Sequence, residues 1–288
     1  MALNKQVWVK QIMENFYPDN SFLSKSVDYT AMVENNRIHI AGSGIDPKVL
    51  INNSTYPVNI VGRDDEDNEM VLDTFSTENT IIRRPEAIEY SYDKLESVIR
   101  QHRATLVKAT ASKAIHAYGP KSNTKDTPII ETSGADADGR KRLKYTDILT
   151  LKELFDDACI PLEDRYLVLN PKHVTDLLLE NIEIFKDLAD LQRGTPFQFA
   201  GFGIYAFPYT PQYDSTLTKI AYNSETTGNF SSVAFYAREV MRADGDIFMY
   251  AKEDDPEERG TIVGFDKRFI ATPIRGLGVG AIVSKKSV

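Results

Sequence analysis

Chemistry needs acids, bases, nucleophiles or metal ligands within bonding reach, and this chain offers few that spacing could bring together. Its four histidines, His39, His102, His116 and His173, fall in separate stretches. None forms an HExxH pair or sits with a cysteine at zinc-ligand spacing, so no metal centre is expected. His102 lies on the apolar stripe of a long helical segment, the place of a core histidine. The single cysteine, Cys159, lies in the apolar helical segment LFDDACI with no histidine near it, and is expected to be a buried structural thiol. One cysteine permits no intrachain disulfide.

Two short glycine alternations, Gly201-Phe-Gly203 and Gly276-Leu-Gly278-Val-Gly280, invite comparison with phosphate loops. A phosphate loop needs a strand, a glycine turn and a helix N-terminus in that order, so that backbone N–H groups point at the anion. Here the glycines border strands with no helix after them, and read as turns and bulges. No GxSxG elbow and no P-loop is present. The residues therefore imply no catalytic set and no cofactor.

Charge carries more information. The run DDEDNE places Asp64, Asp65, Glu66, Asp67 and Glu69 together. It lacks the alternating ligands and central glycine of a calcium loop, and Asp136 and Asp138 before Gly139 match one only in part. It reads as a charged hairpin tip, solvated or facing a partner. From Ser97 to Lys125, by contrast, there is no acidic residue, yet Arg100, Arg103, Lys108, Lys113, Lys121 and Lys125 are present. In an acidic protein that segregation creates a local basic field. It is either a solvated helix face or a contact for anionic partners, whether acidic loops of neighbours or nucleic acid.

Composition sets the frame. The 288 residues suffice for one large domain or two smaller ones, and 42% hydrophobic with 26% charged residues is ordinary for a folded protein. The net charge of −8 argues against a dedicated nucleic-acid binder. No hydrophobic run approaches the roughly 18–20 residues of a membrane span, and MALNKQVWVK lacks a signal peptide's apolar stretch.

The elements that would position these groups follow from periodicity. Val7, Trp8, Ile12, Phe16, Tyr17, Phe22 and Leu23 anchor an otherwise polar arm, with a short helix expected over Lys5–Asn15. MVENNRIHIAGSG reads as a strand ending in glycines. Val58–Val61 and Met70–Phe75 are expected as two limbs of a hairpin around the acidic tip, and Thr80–Arg84 as a strand leading back. Leu95, Ile99, His102, Leu106 and Ala109 then step by fours and threes, predicting a helix from Asp93 to Tyr118 that Gly119-Pro120 ends. At about 26 residues it would run nearly 40 Å.

Lys121–Arg142 reads as a loop or loose hairpin. Thr150 and Glu153 form a capping box for a short helix ended by Pro161. Tyr166–Leu169 is a strand. Asn170-Pro171 caps a second helix whose Val174, Leu177, Leu178, Ile184, Phe185, Leu188 and Leu191 share a face, closed by Arg193-Gly194. Strands are expected at Phe202–Phe207, Leu217–Tyr222, Val233–Tyr236, Ile247–Tyr250, Thr261–Phe265 and Gly278–Val283, with an acidic turn at Glu253–Glu258. The first ninety residues bury too little within one subunit to offset roughly 1–2 kcal/mol of backbone entropy each, so neighbouring copies must supply contacts.

An arm, a long two-stranded loop, a spine helix, a central α/β block and a strand-rich return, in that order, resemble the major capsid proteins of tailed bacteriophages with the Hong Kong phage-type fold. The stretches DDACIPLEDRYLVLNPKHVTDLL and SSVAFYAREVMRADGDIFMYAKEDDPEERGTIVGFDKRF are similar to corresponding stretches of such coat proteins. The resemblance covers nearly the whole chain. It implies an α+β phage capsid fold: an N-terminal arm over 1–52, an extended loop over 53–90, a peripheral domain with the spine helix from 91–145 and 231–270, and an axial domain from 146–230 and 271–288.

By the same resemblance, hexamers and pentamers of the chain would tile an icosahedral shell around double-stranded DNA, contacted non-specifically. The particle would be a virion assembled in the host cytoplasm, with scaffolding, portal and decoration proteins as further partners and no enzymatic activity. No extra region stands ahead of the arm, which implies a separate scaffolding protein or none. Some members join a loop lysine to a neighbour's asparagine; no lysine occurs between Val49 and Asp93, so that chemistry lacks its nucleophile. The acids of the tip would dock on a neighbour's Arg83, Arg84 and basic spine stretch. Two rivals remain open: an encapsulin-type shell holding enzymes, and a cytosolic oligomeric α/β enzyme.

Overall fold

A computed structural model describes residues 21–42, 51–52, 54, 56–57, 66–83, 94–181 and 197–286. After a 3-10 turn at Phe22–Lys25 come β1 (Val27–Asp28), β2 (Arg37–Gly42), β3 (Glu66–Val71), β4 (Asp73–Ser76) and β5 (Thr80–Arg83). Helix α1 (Lys94–Tyr118) follows, then β6 (Ile129–Glu131) and the small hairpin β7 (Asp136–Ala137) and β8 (Arg140–Lys141). A mixed block contains α2 (Tyr145–Asp157), β9 (Arg165–Leu169), α3 (Pro171–Glu180), β10 (Phe197–Phe199), β11 (Phe202–Ala206) and β12 (Gln212–Tyr213). The return is strand apart from a 3-10 turn at Ala237–Glu239: β13 (Asn229–Tyr236), β14 (Val240–Asp255), β15 (Gly260–Pro273) and β16 (Val279–Val283).

Two sheets share the spine helix. In the five-stranded sheet β14 and β15 form a long hairpin, β1 adds to β14, and β4 and β5 lie end to end along the other edge of β15. The register of the hairpin shifts between Asp244 and Ile247. One extra residue inverts which side chains face the helix. Val240 therefore faces α1 before the bulge, and Ile247 and Met249 face it after. On the first half of α1, Ile99 and Leu106 pack on Phe265, and His102 tilts against the same ring at 5.2 Å.

The seven-stranded sheet has the order β10-β11-β9-β13-β16-β6, with β12 beside β13. Its central strands are buried on both faces, which is why they read as apolar runs. Helices α2 and α3 cover one face through Leu151, Phe155 and Leu177, while the second half of α1 covers the other through Ala111, Ile115 and Tyr118. A Cβ at Gly280 would meet Phe155 at 2.9 Å, so glycine there lets α2 close onto β16. The same half of α1 touches Val240, Phe269 and Ala271 of the five-stranded sheet, and Tyr118 donates its hydroxyl to the Met241 carbonyl at 3.2 Å. The end of α1 is thus the joint between the sheets.

Several expectations change in detail. The partner of β3 is β2, paired from Arg37↔Val71 to Gly42↔Glu66. Val58–Val61 lies outside the described residues. Helix α2 begins at Tyr145 because Asp147 caps it, accepting from the Lys144 N–H at 3.0 Å; Thr150 is interior and bonds back to the Thr146 carbonyl. Helix α3 ends at Glu180 with Asn181 as its cap, and Ile184–Leu191 lies outside the described residues.

Leu217–Tyr222 is not a strand. Asp214 holds the chain in a turn by accepting from the N–H groups of Thr216 and Thr218, leaving a single bridge between Tyr213 and Lys219. Strand β13 pairs with β9 and β16, so residues 231–236 belong to the seven-stranded sheet and not with the spine's own sheet. Within the Lys121–Arg142 segment, β6 joins the same sheet through β16.

Candidate inter-subunit surfaces

The described part of the acidic run is strand. Glu66, Asp67 and Glu69 lie in β3, paired with β2, and Glu69 accepts a charged hydrogen bond from Arg37 on the neighbouring strand. Alternation explains the arrangement: Ile38 and Met70 turn inward onto Met241 and Ala243, and Arg37 and Glu69 turn to solvent. Asp64, Asp65 and Arg84 lie outside the described residues. Arg83 is exposed at the end of β5, where it pairs in register with Gly260 at the tip of the long hairpin. Among the described residues, no ion pair joins Arg83 to Glu69, which is paired with Arg37.

The basic stretch does not form one stripe on α1. Lys108 and Lys113 are about 140° apart around the axis, and Arg100 and Arg103 point elsewhere. Lys108 Nζ stands 4.5 Å from the centroid of the Tyr209 ring, and Lys113 Nζ stands 5.1 Å from that of Tyr222. Lys113 also lies 3.4 Å from Asp73 of β4. At the end of the helix, Lys219 Nζ donates to the carbonyls of His116 and Gly119 at 2.8 and 2.6 Å, filling acceptors the helix leaves open. Burial holds the Lys219 ammonium down at about 8, with Lys121 adding repulsion.

The buried polar groups are fasteners. Lys267, fully buried under α1, has its Nζ 2.5 Å from Asp244 Oδ1, and Arg242 links Asp244 to Asp28. Arg140 grips Asp176 with both guanidinium nitrogens, at 2.6 and 3.0 Å, and Asp176 also accepts from the Leu143 N–H. His173 is fully buried between the hydroxyls of Ser232 and Ser284, at 2.6 and 2.8 Å. Burial, with Arg140 nearby, depresses its pKa to about 4, so it is neutral. A serine–histidine pair with no exposed surface cannot meet a substrate.

His102 fits its expected core position, although its Nε2 meets no hydrogen-bond partner. Cys159 departs from expectation. Helix α2 stops at Asp157, and Cys159 adopts φ 54° in the turn beyond, which carries its thiol to the surface. It borders a cleft of about 860 Å³ shared with Ile160, Tyr236, Arg238, Arg275 and Leu277. Arg275 in that cleft is paired with Glu239. Among the described residues no group of histidine, cysteine and acidic side chains could hold a metal ion, and no helix is long and apolar enough to cross a membrane. Both glycine alternations run from a turn into a strand, with positive φ at Gly201, Gly276 and Gly278 and with Gly203 and Gly280 inside β11 and β16.

No protein-family model matches the sequence, and comparison with curated proteins finds no match. Comparison with solved structures is informative. Over 92% of this chain and 88% of the other, it superposes on the capsid protein of Ralstonia phage GP4 at TM-score 0.61 with 11% identity. A protein of Mycobacterium phage Che8 matches at 0.58 and 16% identity, covering 86% and 85%. The chain has the phage capsid fold. That of a virus-like particle from Pyrococcus furiosus is also similar, at 0.54 and 13% identity over 97% and 99%. In the phage capsid fold seen here, α1 packs on both the five-stranded sheet and the seven-stranded sheet, whose other face carries α2 and α3.

One surface feature escaped the sequence reading. Phe248 and Tyr250 of β14 are 48% and 58% exposed, on the sheet face turned away from α1. The alternation of Ile247 and Met249 with Phe248 and Tyr250 carried that signal, but a strand with apolar residues on both faces reads as fully buried.

Proposed function

We propose that this chain is the structural subunit of an icosahedral viral capsid that encloses double-stranded DNA. The observation that supports the reading is the β2–β3 ladder, which pairs strands far apart in the chain ahead of a spine helix that joins two sheets. That arrangement, matched across about nine-tenths of the chain by capsid proteins, suits a subunit that reaches over its neighbours. Closure of many copies requires repeated interfaces of this sort. Phe248 and Tyr250 offer such a contact apolar surface on the outer face of the long hairpin.

The role is structural and not enzymatic, and the particle is a virion assembled in the host cytoplasm. His173 is fully buried, and Arg275 in the cleft beside Cys159 is paired with Glu239, which supports a structural role. Portal and decoration proteins are further partners, and a scaffolding protein would set particle size; one similar structure is a satellite phage P4 procapsid that includes a size-determination protein. The second reading, a shell enclosing enzymes, draws support from the Pyrococcus furiosus virus-like particle.

Electron microscopy of the expressed chain, alone and with the proteins encoded beside it, tests the shell. Closed particles or capsomer rings are expected. A chain that stays monomeric under every condition would end the reading. Nuclease-protected double-stranded DNA in particles from infected cells separates a capsid from an enzyme container.

A further inference from the structure

The charge segregation of α1 acquires a shape from the loop that follows β11. That loop brings Tyr209 and Tyr222 to the same groove as Ser112 and His116 of the helix. With Asn223 and Ser224 these residues line a groove of about 230 Å³. Lys108 and Lys113 flank it, each with its ammonium over one of the two tyrosine rings. They are five residues apart, about 7.5 Å along the helix axis. We propose that this groove contacts the phosphodiester backbone of double-stranded nucleic acid. The proposal rests on the capsid reading for its biological setting, and requires this side of α1 to face the lumen.

Three observations favour that occupant. Although Lys113 is shared with Asp73 at 3.4 Å, α1 carries no acidic residue from Ser97 onward, a basic segregation in a chain of net charge −8. An aromatic ring beneath an ammonium holds it in place while leaving its remaining N–H donors free to meet an oxygen. The walls add hydroxyl and amide donors, the usual companions of lysine on phosphates, and no guanidinium fork lines the groove to grip a planar carboxylate. None of these groups reads a base edge, so the contact is independent of sequence and weakened by salt.

The test uses the full-length chain as dissolved subunits and a fluorescent 24-base-pair duplex, titrated from 50 to 200 mM salt. The double variant Lys108→Gln/Lys113→Gln is expected to bind roughly tenfold more weakly at 50 mM and to lower the slope of log K against log salt by about 2. Lys252→Gln, on the far face of β14, should change neither. No duplex binding by the unaltered chain at 50 mM, or an unchanged slope in the double variant, would overturn the proposal. So would tight binding of a synthetic peptide of residues 62–71 that the double variant loses while duplex binding persists; the groove would then belong to a neighbour's acidic segment. Because binding is read on subunits, absence of particles would strike the capsid reading alone. Particles of normal form with less bound DNA in the double variant would support the proposal with the shell intact.

Discussion

Lys267 Nζ lies 2.5 Å from Asp244 Oδ1 beneath the spine helix, one residue before the bulge that inverts the facing of β14. Lys267 is wholly buried, and desolvation pushes its ammonium below the ordinary lysine range while Asp244 opposes that shift. The pair therefore sits where the strand changes the side it presents to α1. A buried charge without its partner is costly, whereas an apolar pair of similar volume is often neutral. Asp244→Asn is expected to destabilise the subunit by about 3–5 kcal/mol, and Lys267→Met/Asp244→Leu to recover most of that loss. Urea unfolding of the three chains checks it. Equal loss in the single and double variants would mean that the pair fixes the bulge and does more than satisfy itself.

His173 predicts an acid limit. Its folded pKa, about 4, is below the ordinary histidine value of 6.5, so between those values the unfolded chain binds the extra proton. Stability contributed by the neutral imidazole is complete above about 6.5 and is lost as pH falls towards 4. Complete loss amounts to about 3 kcal/mol. The imidazole ties α3 to β13 and to Ser284 just beyond β16, so acid should loosen the seven-stranded block first. His173→Gln should be less stable at pH 7.5 yet show a flatter curve between pH 6.5 and 4. Parallel pH curves for the two chains would assign the acid sensitivity to other groups.

What could be read from the sequence follows from how local each signal is. The spine helix, β9, the Asn170 cap of α3 and the hairpin around the Glu253–Glu258 turn were legible because periodicity, a cap residue or a turn cluster lies within a few positions. The pairing of Arg37–Gly42 with Glu66–Val71 was not, because strands pair across intervening chain and the hydrophobic pattern of β3 is confined to Met70 and Val71. The cluster of charge alone made Glu66–Glu69 look like a tip. Cys159 misled for a related reason: LFDDACI has helical composition throughout, and the stop depends on the positive φ at Cys159, which composition does not announce. Of the candidate site residues, the lysines over Tyr209 and Tyr222 were visible as charge; their ring partners, a hundred residues away, were not.

Covalent linkage between subunits is expected to be absent from the loop. No lysine lies between Val49 and Asp93, so an amine-to-amide bond from that segment has no nucleophile. Particles boiled in detergent under reducing conditions should give one band near 32 kDa. A ladder of covalent multimers would require an amine from another part of the chain, with Lys48 and Lys94 the first to replace.

The acidic run makes the last prediction. Glu69 is engaged by Arg37 within its own subunit, which leaves Asp64, Asp65, Glu66 and Asp67 as the charges proposed to meet a neighbour, with Arg83 and Arg84 as candidate partners. An exposed pair contributes only about 0–1 kcal/mol, but the same contact recurs at every copy of a ring. Salt should therefore weaken assembly more than it weakens the subunit, because screening acts mainly on exposed charge. Replacing the four acids with Asn and Gln should slow assembly, measured by light scattering, and leave the circular dichroism of the subunit unchanged. Glu69→Gln alone should act differently, loosening the β2–β3 ladder at its Arg37 end with little effect on the salt response. If the fourfold variant assembles at the normal rate across the whole salt series, the run is a solvated strand end and neighbours dock elsewhere.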